Sequence, residues 1–299
     1  MAIPAIKALR SLDPLGRLDV LVGSSSDDAG AAQIMGFLRE RGIISNLYVD
    51  RCDDVSVEYD LAIMSIPFDG RWKNGNHFRA KAVVDGRTRP DPATTGLVSW
   101  KKHETQYQLD LVQAIAGRFF SCDEKDIRTF DSSFFPTKSF PDMRNFYLGV
   151  GYKKDLAGFW KIKHWGNENY SNLLKLLFRN HLCDRVYVTG DSADFTASIA
   201  PIMRNVNDNR LVYIGAVGGV ALTQSFEVIS RCGTYIGNDT GMMHVAASMD
   251  LSVVAPFFLE NSIVKSRPIC SRASVINGVG RHVSPEEFLE NVRRVNGKT

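Results

Sequence analysis

No apolar run in the 299-residue chain approaches the roughly 20 residues that a membrane-spanning helix needs, so no span is expected. The N-terminal stretch Met1 to Arg10 has neither a long apolar core nor a small-residue cleavage signal, which argues against a secretory leader. The five cysteines (Cys52, Cys122, Cys183, Cys232, Cys270) are scattered, odd in number and never paired as C-x-x-C. That excludes a disulfide framework and a zinc-ribbon site and fits reduced cytosolic thiols. Charge of neither sign dominates: 36 Lys+Arg face 33 Asp+Glu, so no global basic field points to nucleic acid. The phosphate loop G-x-x-x-x-G-K-[ST], the dinucleotide loop G-x-G-x-x-G, the nucleophile elbow G-x-S-x-G and the zinc motif H-E-x-x-H are all absent. An Asp-x-Asp dyad that would hold a metal-bound nucleotide diphosphate is absent too. No metal ion and no cofactor are expected.

What is present is an α/β rhythm. With 44% hydrophobic and 10% aromatic residues, the chain is long enough for two packed domains. Residues 2–12 place Ile3, Ile6 and Leu9 at helical spacing. Strands follow at 18–22, 46–49 and 60–66, with a helix at 31–41. Between residues 71 and 102 the pattern is lost, and eight Lys/Arg stand against Asp85 and Asp91. That stretch is either a solvated surface or a basic face for an anionic partner. A helix is expected over 103–116, and residues 131–145, with two prolines and no period, are the best linker. The rhythm then strengthens. Strands are expected at 146–150, 185–189, 211–215, 234–236, 253–257 and 274–276. Helices fill 169–178, 193–206, 224–231 and 242–249. Pro201 should kink or end the second of these. The last helix opens on a capping box, Ser284-Pro-Glu-Glu287, and runs to about residue 295.

Three places can carry chemistry. The stretch Gly237-Asn-Asp-Thr-Gly-Met-Met-His244 turns from strand to helix, where a parallel sheet binds ligands and a helix N-terminus accepts phosphate. Thr240 can cap the helix or bond an anion, and Gly241 lets a ligand oxygen approach the backbone. His244 lies on the same helical face. An ordinary capped helix with a buried histidine explains the same residues equally well. The second place is the cationic loop running from Gly151 to Gly166, in which Lys163 could neutralise a departing phosphate; a surface lysine cluster is the alternative. The third is Gly190-Asp-Ser-Ala-Asp194, whose acidic residues suit ribose hydroxyls or, equally, a helix N-cap at Asp191 or Ser192.

The block Gly237-Asn-Asp-Thr-Gly-Met-Met-His-Val-Ala-Ala247, the loop Lys163-His-Trp165 and the opening Ala2 to Arg10 with Leu18 to Gly23 together resemble glycosyltransferase family 9, the bacterial heptosyltransferases of lipopolysaccharide core assembly. His103-Glu104 also has a counterpart there. The resemblance implies an α/β chain of GT-B fold, two Rossmann-like doubly wound domains facing a cleft. Residues 1–140 would form the acceptor-side domain and 141–299 the nucleotide-sugar-binding domain. It further implies that Asp239, Thr240, Gly241 and His244 bind the donor diphosphate and its sugar. Lys163 would stabilise the leaving diphosphate, Asp194 would meet the ribose, and Val220 would lie where backbone groups meet the adenine. The implied partners are ADP-heptose or a related nucleotide-sugar and an anionic glycolipid or glycan acceptor. A cytoplasmic location follows, with room for peripheral contact with the inner membrane.

In the family, a strand and a Gly-rich loop precede the helix that opens here near Met1, and that loop carries the proposed catalytic base. The first N-terminal strand is therefore expected to be missing, with unpaired backbone groups in the N-terminal sheet. The general base is unassigned. Two functions stand side by side: an inverting glycosyltransferase, or a non-catalytic nucleotide-sugar-binding protein that lacks the base loop. A sugar-nucleotide epimerase would need acid and base groups that the sequence does not place.

Overall fold

A computed structural model describes residues 3–22, 29–49, 58–64, 79–85, 103–116, 142–151, 163–215 and 222–297. The chain divides into two compact units, Met1–Cys122 and Asp123–Thr299. The first unit contains α1 (Ile3–Leu12), β1 (Asp19–Val22), α2 (Ala29–Glu40), β2 (Asn46–Val49), β3 (Glu58–Met64), β4 (Arg79–Asp85) and α3 (Glu104–Ala116). Among the described residues its strands form two separate parallel pairs, β1 with β2 and β3 with β4. Helix α1 buries Ala5 and Ala8 against Leu109 and Val112 of α3, as its 3.6-residue apolar spacing requires. Asp19, at the start of β1, gathers Arg17 at 2.8 Å, Asn46 of β2 at 2.9 Å and the Tyr59 hydroxyl of β3 at 2.6 Å. Burial works to raise the Asp19 pKa, but these donors prevail and hold it below the usual carboxylate range.

Strand β4 lies inside the stretch where the sequence pattern was lost. Its charges hide it: Lys81 is exposed and pairs across the ladder with Asp60 of β3 at 2.7 Å. Much of the rest of residues 71–102 lies outside the described residues, as does most of the expected linker at 131–145. The last four residues of that linker are not a connection. They open the first strand of the second unit, whose initial part is exposed and polar.

The second unit runs β5 (Asp142–Gly149), α4 (Asn167–Arg179), β6 (Arg185–Val188) and α5 (Ser192–Asp194). A π-helical turn (Phe195–Ile199) follows, then α6 (Ala200–Val206), β7 (Leu211–Tyr213), α7 (Leu222–Ser230) and β8 (Cys232–Gly237). The chain ends through α8 (Gly241–Ser248), β9 (Ser252–Phe257), α9 (Glu260–Ser266), β10 (Ala273–Asn277) and α10 (Pro285–Val295). Six parallel strands lie in the order β10-β9-β8-β5-β6-β7. The chain starts at β5, builds outward to β7, then returns to β8 beside β5 and builds the other way. The order therefore reverses between β5 and β8, which is where a doubly wound sheet opens its ligand crevice. One face of the sheet packs Phe146, Leu148, Val188 and Ile236 against Leu173, Leu177, Ile202 and Phe288 of α4, α6 and α10. The alternate positions Tyr147 and Tyr235 stack 6.0 Å apart on the other face.

Two local features refine the expectation. Helix 193–206 is broken by the π-helical turn, and Pro201 explains it. Proline has no N–H for the carbonyl four residues back, Ala197, and that carbonyl accepts instead from Asn167 Nδ2 at 2.9 Å. The capping box is half made: Ser284 Oγ accepts from the Glu287 N–H at 3.1 Å, while the Glu287 carboxylate takes both arms of Arg281 at 2.7 and 2.8 Å.

Candidate functional site

The ends of β5 and β8 meet glycine to glycine at the reversal point. A Cβ on Gly237 would come within 2.3 Å of the Gly149 carbonyl oxygen, so no larger residue fits there. The Asn238 N–H donates to that carbonyl at 2.8 Å and locks the turn. The Tyr235 hydroxyl donates to the Asn238 carbonyl at 2.9 Å, and burial raises its pKa well above the ordinary tyrosine value. The backbone is thus fixed before any functional side chain is considered.

On this turn Asp239 is buried, and Lys163 reaches it: Nζ and Oδ2 are 2.5 Å apart, with side-chain exposures of 16% and 5%. Ser266, at the end of α9, adds longer contacts of 3.4 and 3.5 Å to the same carboxylate. The sequence suggests placing these two residues in one site, and the structure brings them together across 76 positions. Thr240 stands at the N-cap of α8 with extended backbone, yet its side chain makes no capping bond. Its hydroxyl lies 3.2 Å from the Tyr235 hydroxyl instead. An ordinary side-chain cap therefore does not explain Thr240. Gly241 opens the helix, and the space a Cβ would occupy is empty. His244 follows in the first turn, half-buried. The first N–H groups of a helix have no intrahelical acceptors, so this end of α8 offers donors and a positive dipole to an anion.

Asp194 lies beside the same strand ends. A methyl group on Gly151 would sit 3.2 Å from its carboxylate. The N-cap of α5 is Asp191, whose carboxylate accepts from the Asp194 N–H at 2.7 Å. The capping explanation thus holds for Asp191, and Asp194 is the residue that cap positions. Val220 lies outside the described residues. No group of three or more His, Cys, Asp or Glu among the described residues is arranged to hold a metal ion. The described cysteines Cys183, Cys232 and Cys270 are all buried. Burial pushes the Cys183 thiol up to about 12.

Sequence reasoning quoted His164 and Trp165 beside Lys163 but missed the contacts by which they fasten the lysine loop. Trp165 is buried; its indole N–H donates to the Val283 carbonyl at 2.9 Å. Its ring lies 5.0 Å from Tyr170 and 4.8 Å from Phe288. His164 Nδ1 accepts from the Gly166 N–H at 3.1 Å, so the proton of the neutral ring sits on Nε2 and faces Ser198 Oγ at 3.2 Å. Asn238 is wholly buried. A polar residue at the end of an apolar strand, inside Gly-Asn-Asp, was the available signal for it.

Residues 156–289 match the model of glycosyltransferase family 9 (heptosyltransferase). A curated relative, lipopolysaccharide heptosyltransferase 2 of Salmonella typhimurium, is 29% identical over 121 residues, which is 40% of this chain and 34% of that protein. Among solved structures, E. coli ADP-heptose lps heptosyltransferase II aligns over 99% of this chain and 94% of its own, with a TM-score of 0.65 and 17% identity. E. coli heptosyltransferase WaaC with ADP aligns over 98% and 95%, with a TM-score of 0.70 and 14% identity. The family 9 glycosyl transferase from Veillonella parvula aligns over 100% and 93%, with a TM-score of 0.70 and 15% identity. The fold is thus the GT-B class, built from two Rossmann-like domains. Within that class, residues 156–289 resemble glycosyltransferase family 9 (heptosyltransferase), and the chain spans about a third of the length of the curated relative it matches.

Proposed function

We propose that this chain is an inverting glycosyltransferase. It takes a sugar, heptose foremost, from a nucleotide diphosphate donor and passes it to lipopolysaccharide or another surface-glycan acceptor. The observation that carries this reading is the Lys163–Asp239 pair, set at the reversal point of the parallel sheet and beside the N-terminus of α8. In such a transfer the acceptor oxygen attacks the anomeric carbon while the bond to the diphosphate oxygen breaks. The departing diphosphate gains charge, and the acceptor loses its proton to a base. Lys163, the first N–H groups of α8 and His244 supply what the diphosphate needs. Asp239 serves differently. A carboxylate repels phosphate but accepts from sugar hydroxyls, so it holds Lys163 in place and faces the sugar. Asp194 faces the ribose hydroxyls. The acceptor's base is not identified among the described residues. ADP as the nucleotide is supported by the likeness to the E. coli heptosyltransferase solved with ADP and with ADP-2-deoxy-2-fluoro heptose.

Calorimetry with ADP and with ADP-heptose tests the assignment. Lys163→Ala and His244→Ala are each expected to weaken ADP by about tenfold or more. Asp239→Ala is expected to erase the preference for ADP-heptose over ADP. Unchanged ADP affinity in both the Lys163 and His244 variants would remove the socket. ADP binding without transfer to any lipopolysaccharide acceptor would reduce the function to donor binding alone.

A further inference from the structure

We infer that Asn238 is the positioning residue for Lys163, and that donor affinity depends on its carboxamide although it touches no phosphate. This rests on the donor reading of the site. Asn238 is fully buried, and each of its side-chain atoms is used. Its Oδ1 accepts from the Tyr170 hydroxyl at 2.6 Å and from the Trp165 N–H at 3.2 Å. Its Nδ2 donates to the Val150 carbonyl at 3.1 Å and to the Gly151 carbonyl at 3.4 Å. One side chain thus joins the end of β5, the lysine loop and the first turns of α4.

The geometry resembles a ladder with two rungs. Asn238 and Asp239 are neighbours on one rail; Trp165 and Lys163 stand two residues apart on the other. The upper rung is Asn238 to the Trp165 N–H, and the lower is Asp239 to Lys163 Nζ at 2.5 Å. A lysine has four rotatable bonds and ample rotamer freedom, so its ammonium aims at one place only if its backbone is held. The Trp165 ring, fixed by the Val283 carbonyl and by Phe288, anchors the far side of this short segment. The carboxamide anchors the near side. Asparagine is the side chain the position requires. It has two acceptor sites for two donors and two N–H groups for two carbonyls, and a carboxylate of the same shape would face both carbonyls without a proton.

A cycle of four proteins tests the inference: wild type, Lys163→Ala, Asn238→Ser and the double variant, each titrated with ADP by calorimetry. Their thermal midpoints are recorded alongside. Lys163→Ala and Asn238→Ser are each expected to weaken ADP about tenfold. In the Lys163→Ala background, Asn238→Ser is expected to cost less than about twofold, because the group it positions is already gone. A residue that merely supports the fold would lower the thermal midpoint and weaken ADP by the same factor in both backgrounds. That result, or undiminished ADP affinity in a folded Asn238→Ser protein, overturns the inference while leaving the donor site intact. Unchanged affinity in Lys163→Ala overturns this inference, and unchanged affinity in His244→Ala as well overturns the donor reading. Should Asn238→Ser fail to fold, Tyr170→Phe takes its place. It removes one donor to Oδ1, keeps the ring, and is expected to weaken ADP about threefold in the presence of Lys163 and not in its absence.

Discussion

At the scale of single residues, the candidate site is shaped by positions that carry no functional group of their own. Gly237 is the clearest. Gly237→Ala would drive a methyl group into the Gly149 carbonyl, part β5 from β8 and displace Asn238 and Asp239 behind it. A loss of about 2 kcal/mol or more is expected in urea unfolding, together with loss of ADP binding. Destabilisation without any change in ADP affinity would show that the crossing and the socket are independent. The socket residues themselves were legible, because Asp239, Thr240, Gly241 and His244 are close in sequence and a strand-turn-helix pattern places them. The partnership of Lys163 with Asp239 was legible only as a shared sheet edge. Asn238 was not legible as a joint, since its partners lie 68 to 88 positions away and nothing local announces them.

Among elements, the helix that closes the chain offers a clean test. The Arg281 guanidinium holds the Glu287 carboxyl below the usual glutamate range, against the opposing effect of burial. A carboxyl with a lowered folded-state pKa adds stability above its unfolded value, and that stability is lost as pH falls through the folded value. The gap in urea midpoint between wild type and Glu287→Gln should therefore be constant near neutrality. It should close as pH drops below about 4.3. A gap that is the same at pH 7 and at strongly acid pH would show that the pair contributes nothing. Strands and helices of the second unit were largely readable, since buried parallel strands are short apolar runs set off by glycine and polar turns. The misses have physical causes. Strand β4 carries Arg79, Lys81 and Asp85, which mask its apolar alternation. Helix α9 is only seven residues long and has no clear apolar stripe. The first half of β5 is polar and exposed, so it read as linker.

For the whole molecule, the residues assigned to the donor all fall in the unit Asp123–Thr299, and so does the family match. A fragment of residues 123–299 is accordingly expected to bind ADP within about tenfold of the full chain and to transfer nothing. Isothermal titration and a transfer assay on the same preparation check both halves. A folded fragment that fails to bind ADP would show that the first unit supplies part of the donor site. The two-unit α/β organisation was legible from the strand-helix rhythm, and the last residues of the expected linker, 142–145, begin β5.

The π-helical turn before Pro201 adds a covalent constraint just after Asp194, which the Asp191 cap already holds by a hydrogen bond. Here the missing N–H is a fact of covalent structure, and no rearrangement of the backbone can supply it. Without that N–H the Ala197 carbonyl is left open to Asn167, beside the widened turn. The acid that the donor's ribose would meet is carried on a segment whose irregular winding is written into the chain by one imino acid, and is not renegotiated each time the protein folds.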